Sequence, residues 1–115
     1  MKEQLFVLMW TQQMTLTADL LMQWTLPVGC TLIHVSAVVS SNGSTKVAIG
    51  DGGNTSQAIA AFAAGVSGTP VEKDTADFTD PHFIAGDVLT VTIDYDGAGG
   101  TAGVNPCVVM TFLAG

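Results

Sequence analysis

Residues 87–95, DVLTVTIDY, alternate between apolar and polar side chains more regularly than any other stretch of the chain. The two sets are Leu89, Val91, Ile93 and Tyr95 on one side, and Thr90, Thr92 and Asp94 on the other. A period of two residues places the sets on opposite faces of an extended strand. The stretch therefore predicts a β-strand with one face in a core and the other toward water.

Similar patterns on either side of this strand extend the prediction along the chain. Further strands are predicted at 19–27, 31–39, 45–50 and 107–113, with a short one at 71–73. The inner face of the second is assigned to Ile33, Val35, Ala37 and Val39. Residues 56–65, SQAIAAFAAG, suit either a short helix or a strand with small side chains.

Turn signals separate these segments about every ten residues, as in β-sandwiches. Asn42-Gly43 suits a tight hairpin, 51–54 is a second turn, and 96–103, DGAGGTAG, is predicted to be a flexible loop. Seven or eight short strands are typical of an antiparallel β-sandwich or barrel. The 115 residues contain no repeat or linker, so we expect one all-β domain, residues 1–115.

The segment LFVLMW (5–10) does not alternate, because all of its side chains are apolar. Lys2 is offset by Glu3 and no small-residue cleavage site follows, so a signal peptide is not expected. The run is also far shorter than the roughly 20 apolar residues of a membrane span. As a strand it presents two apolar rows: Phe6, Leu8 and Trp10 on one face, and Leu5, Val7 and Met9 on the other.

In a single sandwich one of those rows faces water. Either a loop or helix of the same chain covers it, or a neighbouring subunit does, because large exposed apolar patches mark interfaces. Low charge elsewhere favours the neighbour. We therefore predict that residues 1–14 form an N-terminal strand or arm in a subunit interface.

Charge is scarce along the whole chain. Charged residues make up 11% of it, where a soluble domain has about 25%. A surface poor in charge packs readily against other protein, which favours a subunit of an assembly, although extracellular binding modules share this bias. The net charge of −7, with three basic residues, disfavours nucleic acid as a partner.

No pattern for catalysis, cofactors or metals is complete. Cys30 and Cys107 permit one disulfide, and the favoured alternative is that both are small buried hydrophobic residues. Neither His34 nor His82 is paired with a nucleophile at a recognisable spacing. The sequence GAGGTA (97–102) lacks the helix that a dinucleotide site requires.

Calcium is not expected either. Asp94-Tyr95-Asp96-Gly97 opens like a calcium loop, but no closing Glu follows. The remaining loop acids are read as solvated: Asp74, Asp77, Asp80 and Asp87. We expect no catalytic residue, no cofactor and no metal.

Two segments carry a resemblance to a known family: CTLIHVSAVVSSNGSTKVAIGDGGN (30–54) and FIAGDVLTVTIDYDGAGGTAGVNPCVVMTFLAG (83–115). They resemble small proteins encoded among the structural genes of tailed bacteriophages. The matching positions are His34-Val35-Ser36, Gly86 to Leu89, Asp94, Asp96, Gly97, Gly99 to Gly103 and Thr111-Phe112. The likeness spans about residues 15–115, and its motifs are structural.

The resemblance implies a jelly-roll-like β-sandwich and a non-enzymatic virion accessory protein. The expected role is capsid decoration, or cement, by homotrimers that tie together major capsid protein subunits on the outer surface of a head assembled in the host cytoplasm. The interface is assigned to Leu5, Phe6, Val7, Leu8, Met9, Trp10 and Trp24. No nucleic acid or membrane contact is expected.

Two alternatives remain open from the sequence. The chain could belong to a tail, neck or head fibre of the same kind of particle. It could instead be a receptor- or carbohydrate-binding β-sandwich, in which Trp10, Trp24 or Tyr95 would stack on sugar rings.

Overall fold

Antiparallel strands account for most of the chain in the computed structural model, which describes residues 4–41 and 43–115. Over those residues there are nine strands: β1 (Gln4–Thr11), β2 (Leu20–Thr25), β3 (Cys30–Val38), β4 (Lys46–Asp51), β5 (Ile59–Ala63), β6 (Val71–Asp74), β7 (His82–Phe83), β8 (Val88–Asp94) and β9 (Cys107–Ala114). A short 3-10 helix, Thr75–Asp77, follows β6. The all-β prediction is confirmed.

The strands form two sheets that face each other. Sheet I has the order β1-β9-β3-β6, with β7 also paired to β3, and sheet II has the order β2-β8-β4-β5. Since β6 pairs with residues 34–37 of β3 and β7 with Cys30 and Thr31, β6 and β7 are two parts of one broken edge strand. Eight strand positions therefore remain.

The connections give these positions the topology of a jelly roll. Successive strands cross between the sheets except at the β4–β5 hairpin, and the first and last strands are neighbours in sheet I. The predicted jelly-roll-like sandwich is confirmed, with nine strands rather than seven or eight. The extra strand, β7, has two residues after Pro81, too few to produce a periodic pattern.

The core lies between the two sheets and consists of alternate residues from the central strands. On β8, Leu89, Val91 and Ile93 are fully buried, as the alternation predicted. On β9 the buried residues include Phe112, whose ring stacks on Phe6 with 5.1 Å between centroids. The sandwich thus places one residue of the LFVLMW segment against the centre of sheet I.

The predicted inner face of β3 is wrong at one position. Leu32 is fully buried and Ile33 is only partly buried, whereas Val35, Ala37 and Val39 are buried as expected. The pairing of β3 with β9 shifts register between Leu32 and His34. A β-bulge adds one residue to the strand, so the alternation before it is reversed.

The alanine-rich stretch and the glycine-rich loop both adopt defined structures. The alanine-rich stretch 56–65 contains strand β5 rather than a helix. The glycine-rich loop 96–103, predicted to be flexible, packs against Ser44: the Ser44 N–H donates to the Thr101 carbonyl at 2.7 Å, and Gly97 and Gly100 leave no space for a Cβ beside Ser44. Asn42 of the predicted Asn-Gly turn, and residues 1–3 of the predicted arm, lie outside the described residues.

Candidate interface at the open edge of the sandwich

Strand β1 lies at the edge of sheet I. It pairs with β9 in unbroken register from Gln4 opposite Ala114 to Thr11 opposite Cys107. Among the described strands none pairs with its other side. The backbone groups along that side are therefore open to another strand, as in any unprotected edge.

The inner row of β1 belongs to the fold of the single chain. Phe6, Leu8 and Trp10 are half-buried and pack against the core cluster. Phe6 touches Phe112, so this row contributes to the stability of the sandwich. Of the residues predicted for the interface, these three are shared between the core and the edge.

The outer row of β1 is uncovered by the described part of the chain. Leu5, Val7 and Met9 are 64%, 56% and 60% exposed. Residues directly opposite each other in an antiparallel pair point to the same face, so Leu113 and Val109 of β9 lie beside Leu5 and Met9. We call these five residues the apolar stripe.

The apolar stripe ends where sheet I becomes polar. On the outer face of β3, His34 lies opposite Thr111 of β9 and opposite Asp74 of β6. The Nε2 atom of His34 lies 3.4 Å from Oε1 of Glu72. Among the described residues, charge on the outer face is thus confined to the β6 side, and the β1 side is apolar except for Thr11 and Thr111.

Trp24, the seventh predicted interface residue, lies on β2 at the edge of sheet II. With Leu20 and Met22 it forms a half-buried inner row that packs against the core. Leu21, between them on the outer face, is 54% exposed. The strand LLMQWT therefore has one exposed apolar side chain, Leu21, on its outer face, and the adjacent leucines at 20 and 21 were the signal that could have found it.

A cleft separates β1 from β2. Its volume is about 270 Å³, and its lining is almost entirely apolar: Phe6, Leu8, Trp24, Thr25, Leu26, Pro27 and Val28. The last three follow β2, and sequence reasoning did not place them here. We call β1, β2 and this cleft the open edge.

The opposite side of the sandwich is closed. There Lys73 of β6 lies over the ring of Phe62 of β5, with Nζ 5.6 Å from the ring centroid. An isolated bridge between Val38 and Gly65 also joins the two sheets. The two sides of the sandwich therefore differ. On the β5–β6 side the sheets are joined by contacts, and on the β1–β2 side they are separated by the cleft.

Three carboxylates gather at the start of β2, beside the end of β8. Asp19, Asp94 and Asp96 have oxygen atoms within 4.8 Å of one another. Asp19 Oδ1 accepts the Tyr95 N–H at 3.1 Å, and the Asp96 carboxylate is the main cause of a raised pKa at the Tyr95 hydroxyl. The sequence grouped Asp94 with Asp96 but not with Asp19, which lies 75 positions earlier in the chain.

Three of the other loop acids, Asp74, Asp77 and Asp87, accept local hydrogen bonds. Asp74 and Asp77 form a capping box on the 3-10 helix. Asp87 Oδ2 accepts the Ile84 N–H at 3.0 Å. These carboxylates hold turns in place, which is the role of short acidic side chains in loops.

The two cysteines cannot join within one chain. Cys30 begins β3 and pairs with Ala114, whereas Cys107 begins β9 and pairs with Val38. They therefore lie at opposite ends of the β3–β9 pair, about 25 Å apart at the rise of a strand. A disulfide requires Cα atoms within about 7 Å, and both cysteines are free.

No known protein family matches the chain, and no curated protein sequence matches it. A chain of the cyanophage Pam1 capsid asymmetric unit has a similar fold, with a TM-score of 0.60 and 14% sequence identity. The similarity covers 98% of this chain and 85% of that chain. At this identity the likeness is one of fold, and it extends over the whole sandwich.

No helix in the described ranges is long and apolar enough to cross a membrane.

Proposed function

We propose that this chain is a structural virion protein that decorates a bacteriophage head. In this role it is a non-enzymatic cement protein that self-associates, as a homotrimer, and bridges major capsid protein subunits on the outer surface of the shell. The observation that carries the proposal is the outer row of β1, where Leu5, Val7 and Met9 are each more than half exposed. Exposed apolar patches of this kind mark contacts with other proteins.

Composition supports a contact rather than a solvated surface. A chain with 11% charged residues leaves few groups that hold water on its outer faces. Burial of apolar area yields about 25 cal/mol per Å². The shell repeats each contact at every equivalent position, so a modest gain per copy adds up over the particle. The fold likeness to a chain from a phage capsid unit is consistent with this setting.

The carbohydrate-binding alternative gains little from the cleft. Trp24 lies there, but among the described residues that line the cleft the only polar side chain is that of Thr25. Sugar sites need polar groups beside the stacking ring to bind hydroxyls. A glycan array is therefore expected to show no binding, and glycan binding lost on Trp24→Ala would favour the alternative.

Particle binding tests the proposal directly. Heads that lack this protein are mixed with the purified chain, sedimented and imaged by cryo-electron microscopy. We expect density on the outer surface of the shell and greater resistance of the heads to heat. Binding only at the tail or neck would favour the second alternative, and no binding to any part of the particle would refute a virion role.

Two variants, each with one exposed residue changed to Asp, test whether head binding depends on the apolar stripe. Val7→Asp adds a charge to the apolar stripe, and Ala61→Asp adds the same charge to the exposed face of β5 on the closed side. We expect the first to abolish head binding and the second to leave it unchanged.

A further inference from the structure

The open edge contains two unlike free strands on one side of the molecule. β1 ends sheet I, β2 ends sheet II, and the cleft lies between them. Neither Gln4–Thr11 nor Leu20–Thr25 contains a charged residue. Proteins usually protect free edges with charge, proline, bulges or short strands. β1 has none of these within its eight residues and keeps an unbroken register with β9.

The edges on the closed side do have such protection. β6, VEKD, has three charged residues and is broken from β7 by the 3-10 helix. β5 shifts register against β4 between Val47 and Ile49. Protection of one side and not the other indicates that the open edge is paired in the working protein.

The inner rows of the open edge also lack a complete cover. Phe6, Leu8 and Trp10 on β1, and Leu20, Met22 and Trp24 on β2, are all half-buried. The cleft of about 270 Å³ exceeds the roughly 150 Å³ cavity that holds a benzene molecule. It therefore has room for large apolar side chains from outside.

We propose that β1 of one copy pairs with β2 of the next copy, and that side chains from the neighbouring edge complete the apolar cleft. This contact deepens the self-association in the proposed function and names the strands that make it. It is heterologous, since each copy offers β1 to one neighbour and β2 to the other. Such contacts close into a ring when the rotation between copies allows it.

A second copy fits this edge better than a single foreign strand because two unlike edges need partners at once. Pairing of β1 with β1 would be isologous and would leave both β2 strands free. Pairing of β1 with β2 satisfies both edges of every copy in the ring. Charge agrees along the strands themselves: copies with a net charge of −7 repel each other, and the pairing brings together two uncharged strands, with the carboxylates of Asp19, Asp94 and Asp96 beyond the start of β2.

Mixed cysteine cross-linking tests the contact. In a Cys107→Ser background with Cys30 left buried, one protein carries Val7→Cys on the outer face of β1. A second, tagged protein carries Gln23→Cys on the outer face of β2. Met9→Cys and Leu21→Cys, on the same two faces, cover the neighbouring registers. The two proteins are refolded together and oxidised, and the products are separated by mass.

We expect a disulfide-linked pair in at least one mixture of a β1 variant with a β2 variant, and none in any variant alone. Ala61→Cys on β5, mixed with Val7→Cys, is the matched control and is expected to stay unlinked. A disulfide between two copies of the same β1 variant, Val7→Cys or Met9→Cys, would overturn the proposal, because it would show that β1 pairs with β1. A monomeric mass in solution, or an oligomer in which no mixture links, would also overturn it.

Head binding separates this contact from the proposed function. A cross-linked ring that fails to bind heads would refute decoration and leave the strand pairing intact. A Val7→Asp monomer that binds heads as tightly as the parent chain would refute a role for the pairing and leave decoration intact.

Discussion

Gly50 of β4 shows how a single residue fixes the loop that follows it. An added Cβ would collide with the backbone of Asn54 and Thr55 and would lie 2.7 Å from the Gln57 nitrogen. The loop cannot move away easily, because Asp51 Oδ1 accepts the N–H groups of Gly53 at 2.8 Å and Asn54 at 2.7 Å. The requirement for glycine here is one of space.

We expect Gly50→Ala to lower the free energy of unfolding by about 2 kcal/mol, within the range for overpacking. Gly52→Ala is the control, since its Cβ would meet nothing closer than Val88 at 3.7 Å. That change is expected to stay within about 0.5 kcal/mol. Urea unfolding of both variants measures the difference, and equal stabilities would show that the loop does not press on β4.

Cys30 gives the chain a dependence on alkaline pH. Burial, and then the nearby Asp87 carboxylate, raise the pKa of the Cys30 thiol above its ordinary value of 9.0. The unfolded chain therefore loses this proton first as the pH rises. The stabilising contribution is complete below pH 9 and is lost as the pH rises through the folded pKa.

The melting temperature of Cys30→Ala should consequently fall less steeply above pH 9 than that of the parent chain. The raised pKa of Tyr95 acts in the same direction from about pH 10 in both proteins. Identical slopes in the two proteins would show that Cys30 is solvated in the folded state.

At the scale of the strand, the sequence predicts alternation well and register poorly. On β8 the apolar face of Leu89, Val91 and Ile93 was read correctly, whereas Thr90, on the face predicted to meet water, is also buried. Ile33 was misplaced because the bulge in β3 arises from its pairing with a strand about 75 residues away, which no local pattern reports. β5 was ambiguous because small side chains carry no clear period, and its pairing with β4 decides its structure.

The candidate interface, like the strands, was only partly predictable from the sequence. Both apolar rows of β1 could be read from the letters LFVLMW. The sequence does not show which of the two rows faces outward. That depends on which face of β9 packs on the core, and only the folded structure shows it. Leu26, Pro27 and Val28 of the cleft were missed, since only the packing of the chain after β2 brings them to β1.

The two faces of β1 should respond differently to truncation. Phe6→Ala removes the ring that stacks on Phe112, so we expect a loss of about 2 kcal/mol, less than the 3–5 kcal/mol of a fully buried phenylalanine. Val7→Ala removes exposed atoms and should change the stability of the monomer by less than about 0.5 kcal/mol. Its effect should appear in association instead.

Unfolding in dilute solution and sedimentation at high concentration measure the two effects separately. If Val7→Ala destabilises the monomer as much as Phe6→Ala does, the outer row is covered by the chain itself, and the interface on β1 is refuted.

At the scale of the whole molecule, the uncovered stripe does not result from loose packing. The radius of gyration is 13.7 Å, close to the roughly 13.4 Å expected for a compact domain of this length. Eighteen buried hydrophobic residues of the described ranges form one core cluster. The described residues therefore form a core of their own, and the exposed residues of the apolar stripe are surplus to it.

Net charge and the apolar stripe oppose each other, and salt should reveal the balance. The Debye length falls from about 30 Å at 10 mM salt to about 8 Å at 150 mM. The first value exceeds the 26 Å width of the molecule, so the net charge of −7 on each copy repels its neighbours at low salt. At 150 mM that repulsion is screened, while apolar burial is little affected.

We therefore expect association to tighten with salt, by roughly fivefold in Kd if about 1 kcal/mol of repulsion is removed. Analytical ultracentrifugation across 10–150 mM NaCl measures the shift. Association of Ala61→Asp should still tighten with salt, because this change adds charge on the closed side. Val7→Asp should remain monomeric at every concentration of salt. Association that weakens as salt rises would instead show that ion pairs hold the copies together, and the apolar stripe would then have no part in assembly.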